Sequence, residues 1–146
     1  MADRAVELFT TELAHVEGAP VSGTVPATLS FTLGPAPSFG AFTPGVARTY
    51  TTSGTANVIS SAGDAALSVS DPSPMAPGRL VNGTYSLISP LLVGTHPLPT
   101  VLKTWTAPIS NGTFQIAFSH SIGVNKPLRT GTYNKTLTFA LSTTSP

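Results

Sequence analysis

The chain has 146 residues, enough for one domain with a core of its own. Hydrophobic residues make up 40% and charged residues 9%, against roughly 25% charged in an average soluble protein. That balance excludes disorder throughout, the net charge of +1 by itself points to no partner, and the absence of Cys excludes disulfides and thiolate metal sites.

Charge is distributed unevenly. Residues 1–20 carry Asp3, Glu7, Glu12 and Glu17 against Arg4, and the remainder carries Asp64 and Asp71 against Arg48, Arg79, Lys103, Lys126, Arg129 and Lys135. The cations are scattered along the chain, so no nucleic-acid footprint is expected. No apolar run reaches membrane-spanning length, and the N-terminus lacks the basic-then-apolar layout of a signal peptide. An exported chain of this kind would be a mature form or a piece of a longer one.

Residues 1–20 read as an N-terminal arm or linker. Ala5, Phe9, Leu13 and Val16 stand at helical spacing, while Val6-Glu7-Leu8 alternates briefly as a strand would. Two readings stay open. One is a linker or short helix. The other is an arm that adds a strand to a neighbouring copy, with Val6, Leu8, Phe9 and Leu13 as its contacts. Glu17-Gly18-Ala19-Pro20 marks the boundary, and residues 21–146 form the body.

The first body strand is expected over Thr24–Leu33, with Leu29, Phe31 and Leu33 inward. Phe39 to Gly45 is a turn-rich crossover whose two Phe plug one end of the core. Val46–Ser60 is a long Thr-rich strand with a bulge expected near Gly54, and Gly63-Asp64 reads as a hairpin turn into Ala65–Ser70. Asp71 to Gly78 is a loop. Leu80–Leu87 is a strand with a tight turn or bulge at Asn82-Gly83, and Ser89–Pro99 is a second loop. Val101–Thr106 is a strand, and Ala107-Pro108 with Asn111-Gly112 sets a hairpin into Thr113–Ser119, whose Phe114, Ile116 and Phe118 face inward. The last strand, Gly131–Leu141, alternates most cleanly, with Leu137, Phe139 and Leu141 on one face and Thr136, Thr138 and Ala140 on the other.

The expected fold is all-β, an Ig-like or jelly-roll-like antiparallel β-sandwich of about seven or eight strands. No repeat of solenoid period is visible.

Three stretches carry a family resemblance: Thr24 to Leu33, Phe39 to Val46, and the last strand preceded by Leu128-Arg129-Thr130. Together they resemble an accessory module found near the C-termini of large secreted and cell-surface proteins of high-GC Gram-positive bacteria. The likeness covers the whole body. It implies an extracellular or cell-surface location and an accessory or anchoring role without a defined activity. A more distant likeness is to the WxL cell-wall-binding domain. The matching place here is Phe139-Ala140-Leu141, so the Trp of that motif is missing.

Residues with chemistry are few. Asp64 and Asp71 are the only body carboxylates, both at turn positions where Asp bonds its own backbone. A calcium site built on them has no motif behind it. His15, His96 and His120 lack metal-ligand spacing, and His120 shares the inward parity of Phe118 and Ile122. There is no Gly-x-Ser-x-Gly elbow and no nucleotide-binding Gly-rich loop. Neither a cofactor nor a metal is expected, and an enzyme is disfavoured.

The remaining candidates are aromatic. Trp105, with Lys103 and Tyr85, is the candidate set for stacking on a sugar ring. Val101, Lys103 and Trp105 share one strand face, and parity alone leaves open whether that face is outward. The expectation is therefore a non-catalytic extracellular structural or attachment domain. The alternatives are a self-assembling fibre or surface-layer subunit built by strand addition, and a carbohydrate-binding module. The expected partners are a cell-wall glycan or a further copy of the chain.

Overall fold

The computed structural model describes residues 16–146. The strands, in chain order, are β1 (Leu29–Leu33), β2 (Arg48–Ser60), β3 (Ala65–Ser70), β4 (Val81–Asn82), β5 (Tyr85–Ser86), β6 (Leu92–Val93), β7 (His96–Pro97), β8 (Thr100–Trp105), β9 (Ile109–Ile122) and β10 (Thr138–Ser142). No helix occurs among the described residues. One sheet has the order β1-β2-β9-β6-β7 and the other β10-β3-β8, all neighbours antiparallel, and β4 and β5 form a separate hairpin. The expected all-β sandwich is the fold.

Period-two patterning sets which side chains meet between the sheets. Tyr50, Ala56 and Val58 of β2 are buried, while Thr49, Thr51, Ser53 and Thr55 are exposed. On β9, Ile116, Phe118, His120 and Ile122 are buried, while Gln115, Ala117 and Ser121 are exposed. Leu67 and Val69 of β3 face them from the second sheet, at 0% and 1% exposure. Burying each such aliphatic side chain stabilises the fold by about 1.5–3 kcal/mol before entropy is counted. Leu80, Leu87 and Leu91 complete the core from the intervening loops, with Val93 of β6 beside them. Phe39 and Phe42 pack against it, as the crossover was expected to do. The last strand keeps its alternation, with Leu137, Phe139 and Leu141 half-buried and Thr136, Thr138 and Ala140 exposed.

Several boundaries differ from expectation, each for a local reason. The first strand begins at Leu29 rather than Thr24. β2 supplies partners only as far as Ser60, opposite Leu29. One residue earlier, Thr28 and Ser61 close the ladder, Ser61 N–H donating to Thr28 O at 2.8 Å and Thr28 N–H to Ser61 Oγ at 2.7 Å. The chain then leaves β2 for the other sheet, so no described strand continues opposite Thr24–Ala27. Leu29 and Leu33, expected inward, are 40% and 47% exposed because β1 is an edge strand.

Gly63-Asp64 is not a hairpin turn. It is the arch by which the chain passes from β2 in one sheet to β3 in the other. Residues 106–108 make the return arch from β8 to β9, and Asn111-Gly112 lies inside β9 rather than in a turn. There Val58 pairs with Gly112 and Ser60 with Ile109, so β9 carries one extra residue. Asn111 absorbs it at φ 55°, a left-handed conformation that Asn tolerates better than most residues. The bulge therefore sits there and not near Gly54, which pairs in register with Ile116.

The last strand narrows to Thr138–Ser142. Before it, Asn134 and Val81 exchange backbone hydrogen bonds of 3.0 Å as an isolated bridge. Asn82-Gly83 is a tight turn as expected, joining β4 to β5 with Gly83 at φ 63°. Within Ser89–Pro99, β6 and β7 form a small hairpin, and β6 pairs with β9.

Candidate functional site

The sandwich is open along one seam. A groove of about 790 Å³ runs there, with Leu80, Leu91, Ile116, Phe118, Leu137 and Phe139 in its lining. Leu80, Leu91, Ile116 and Phe118 belong to the buried core, so the groove reaches it.

One wall is the chain from Gly34 to Pro44. Phe42 anchors it. Its ring meets Tyr50 edge-on at 4.8 Å and lies 6.0 Å from Phe39, 5.9 Å from His120 and 6.2 Å from Tyr133. Thr43 N–H donates to Tyr50 Oη at 2.9 Å, and the Arg48 guanidinium stands 4.9 Å above the Tyr50 ring. The wall packs on β2 at Gly54, where a Cβ would meet Pro37 at 3.7 Å, an ordinary van der Waals contact.

The other wall runs from Leu128 to Lys135. Tyr133 closes it on itself. Its hydroxyl accepts from Arg129 N–H and donates to Arg129 O, both at 2.7 Å. Asn82 Nδ2 donates to Thr130 O at 2.9 Å and packs directly over Gly131, whose φ is 138°. Lys135 ends the wall. Its side chain is 6% exposed, sits 3.4 Å from Asp71 Oδ2, and donates to Ser73 Oγ and Met75 O at 2.9 Å each.

Beside the groove, β2 has a free edge. Gly34 N–H donates to Thr55 O at 2.9 Å, so the main-chain groups of Thr55 point toward β1. Thr51 and Ser53 have the same parity, but β1 ends at Leu33, opposite Ala56. Among the described residues, nothing pairs the outward main-chain groups of Thr51 and Ser53.

The titratable groups are committed to the fold. Asp64 binds the C-terminal tail rather than its own turn. It accepts from Thr143 Oγ1 (2.7 Å), Thr144 N–H (2.9 Å), Thr144 Oγ1 (2.5 Å) and Ser145 N–H (2.8 Å). The hydroxyls of Thr144 and Thr143, with the two amides, hold its carboxyl well below the usual range. Asp71 is the expected turn aspartate, accepting from Ser73 N–H, Ser73 Oγ and Gly78 N–H at 3.0, 2.6 and 2.6 Å. Burial pushes its carboxyl up, but the Ser73 and Gly78 hydrogen bonds and Lys135 outweigh it and the net direction is down. His120 is 1% exposed. Desolvation lowers its pKa against a hydrogen bond with the Pro90 backbone, and Nδ1 has no partner. No group of three His, Asp or Glu able to hold a metal occurs among the described residues.

The aromatic candidates do not converge. Trp105 is half-buried at the end of β8 and meets Phe114 of the opposite sheet edge-on at 5.9 Å. Trp105 pairs with Ala65 and Lys103 with Leu67, and an irregularity at Leu102 shifts Val101 opposite Ser68. Val101 is thus not on the face of Trp105, and the parity argument fails at that bulge. Lys103 is exposed. Tyr85 belongs to another cluster. Its ring meets Tyr133 at 6.2 Å and its hydroxyl donates to Pro127 O at 2.8 Å. Val6, Leu8, Phe9 and Leu13 lie outside the described residues. Sequence reasoning missed the groove, reading Phe42 only as a plug at one end of the core and Tyr133 only as part of the last strand. The visible signal was aromatic density in two Gly-rich loops, Phe39–Phe42 and Gly131–Tyr133.

No family model, curated protein or solved structure matches the chain. No helix among the described residues is long and apolar enough to cross a membrane.

Proposed function

We propose that the chain is a non-catalytic, extracellular structural domain that attaches a larger cell-surface protein, and that the groove is where it docks. The observation that carries this is an apolar groove reaching the core and bordered by unpaired strand main chain. Such a combination accepts an extended polypeptide, whose backbone pairs with the edge while alternate side chains enter the groove. The body carboxylates support a structural role, because Asp64 and Asp71 are each held by several hydrogen bonds within the fold.

Self-assembly by strand addition is the second reading, favoured by that same free edge. The low surface charge removes one barrier to it.

The test is fluorescence anisotropy with nonapeptides that alternate apolar and polar residues. Binding is expected, and Ala41→Glu in the groove lining should abolish it. Gln115→Glu, on the exposed face of β9, should leave it intact. No binding, or equal binding to both variants, overturns the docking reading.

A further inference from the structure

We infer that the groove's occupant is the chain's own N-terminal segment, residues 5–13, laid as a strand against the free edge of β2. The inference rests on the docking reading above and names its ligand.

Three observations point to this segment. The first is pattern. Val6-Glu7-Leu8 alternates, so a strand there presents Val6 and Leu8 to an apolar floor and Glu7 to water. Ala5, Phe9 and Leu13 share the face of Glu7 on such a strand, so Val6 and Leu8 carry the contact with the floor. The opposing surface offers Phe118, Leu137 and Phe139, and Thr51 and Ser53 offer the main-chain groups that such a strand needs.

The second is charge. Residues 5–13 hold Glu7 and Glu12 and no cation. The groove lining contains Arg129 and Lys135 and no carboxylate. Lys135 is engaged by Asp71, so Arg129 is the cation that meets the segment.

The third is reach. Residues 16–27 lie on the surface, with Val16, Val21 and Val25 at 89%, 96% and 78% exposure. Fully extended they span about 40 Å. The chain enters the body at Thr28, and the groove begins at Leu33, the far end of β1. The tether therefore reaches the groove of its own chain or of an adjacent copy.

The absence of Cys makes a direct test simple. Leu8→Cys is paired with Ala41→Cys, and in a second full-length chain with Thr130→Cys, both exposed in the groove lining. A control chain pairs Leu8→Cys with Gln115→Cys on the opposite side of the large sheet. A disulfide needs Cα atoms within about 7 Å. Under mild oxidant, at least one groove pair should cross-link about ten-fold or more faster than the control, as expected when a bound segment has a high effective concentration. Product mass reports whether the segment came from the same chain or another. Rates equal to the control for both groove pairs overturn the inference. If the peptide panel binds nonetheless, the docking reading survives and only the assignment of the occupant falls.

Discussion

Lys135 Nζ lies 3.4 Å from Asp71 Oδ2, and the two side chains are 6% and 1% exposed. The pair joins the loop after β3 to the wall of the groove, with sixty-odd residues of chain between them. Lys135 also donates to Ser73 Oγ and Met75 O, so its three partners all lie in that loop. Lys135→Met should cost about 3 kcal/mol, because it strands a buried carboxylate rather than removing a surface contact. Asp71→Asn combined with Lys135→Met should cost less than the sum of the single changes. Urea midpoints of the four chains measure the coupling.

Acid should weaken the fold over two separate pH ranges. The folded pKa of His120 lies below the ordinary 6.5. The unfolded chain thus binds the proton first, and stability is full above 6.5 and falls as pH drops through that value toward the folded pKa. Both aspartates are depressed from 3.8, so their contribution is present above 3.8 and is lost at lower pH. Denaturant midpoints against pH should show both declines. His120→Phe should remove the first and leave the second.

Gly131 is required by geometry. A Cβ at its φ of 138° would collide with the Asn82 side chain. Gly131→Ala should cost about 1–3 kcal/mol through the backbone conformation and the collision together. Adding Asn82→Ala should recover only the steric part. Thermal midpoints of the two chains separate these contributions.

Much of the sandwich was legible because its strands alternate apolar and hydroxyl residues without interruption. Ala65–Ser70 needed only that pattern, and the inward faces of β9 and β10 followed from it. The arches were not legible. Gly63-Asp64 and Asn111-Gly112 carry the chemistry of hairpin turns, yet one joins two sheets and the other bulges a strand. Turn residues report local φ, not which sheet comes next. The groove was hidden for a related reason, since it exists only where β1 stops short of β2, and no residue at Leu33 announces the missing partner.

Trp105 should behave as a packing residue. Its ring meets Phe114 edge-on, and its candidate companion Tyr85 sits with Tyr133. Soluble cell-wall glycan fragments should leave Trp105 emission unchanged, and Trp105→Phe should lower stability by about 1 kcal/mol. A saturable shift with glycan would favour the carbohydrate-binding reading instead.

The central claim is that an extended segment pairs with β2 beside the groove. The amides of Thr51 and Ser53 report this directly, because no described residue bonds them. Hydrogen exchange of the full chain, read by NMR at these two amides, should show protection well above that of the exposed Val25 amide. Leu8→Glu should abolish that protection. Exchange at Thr51 and Ser53 as fast as at Val25 in the unaltered chain would contradict the account.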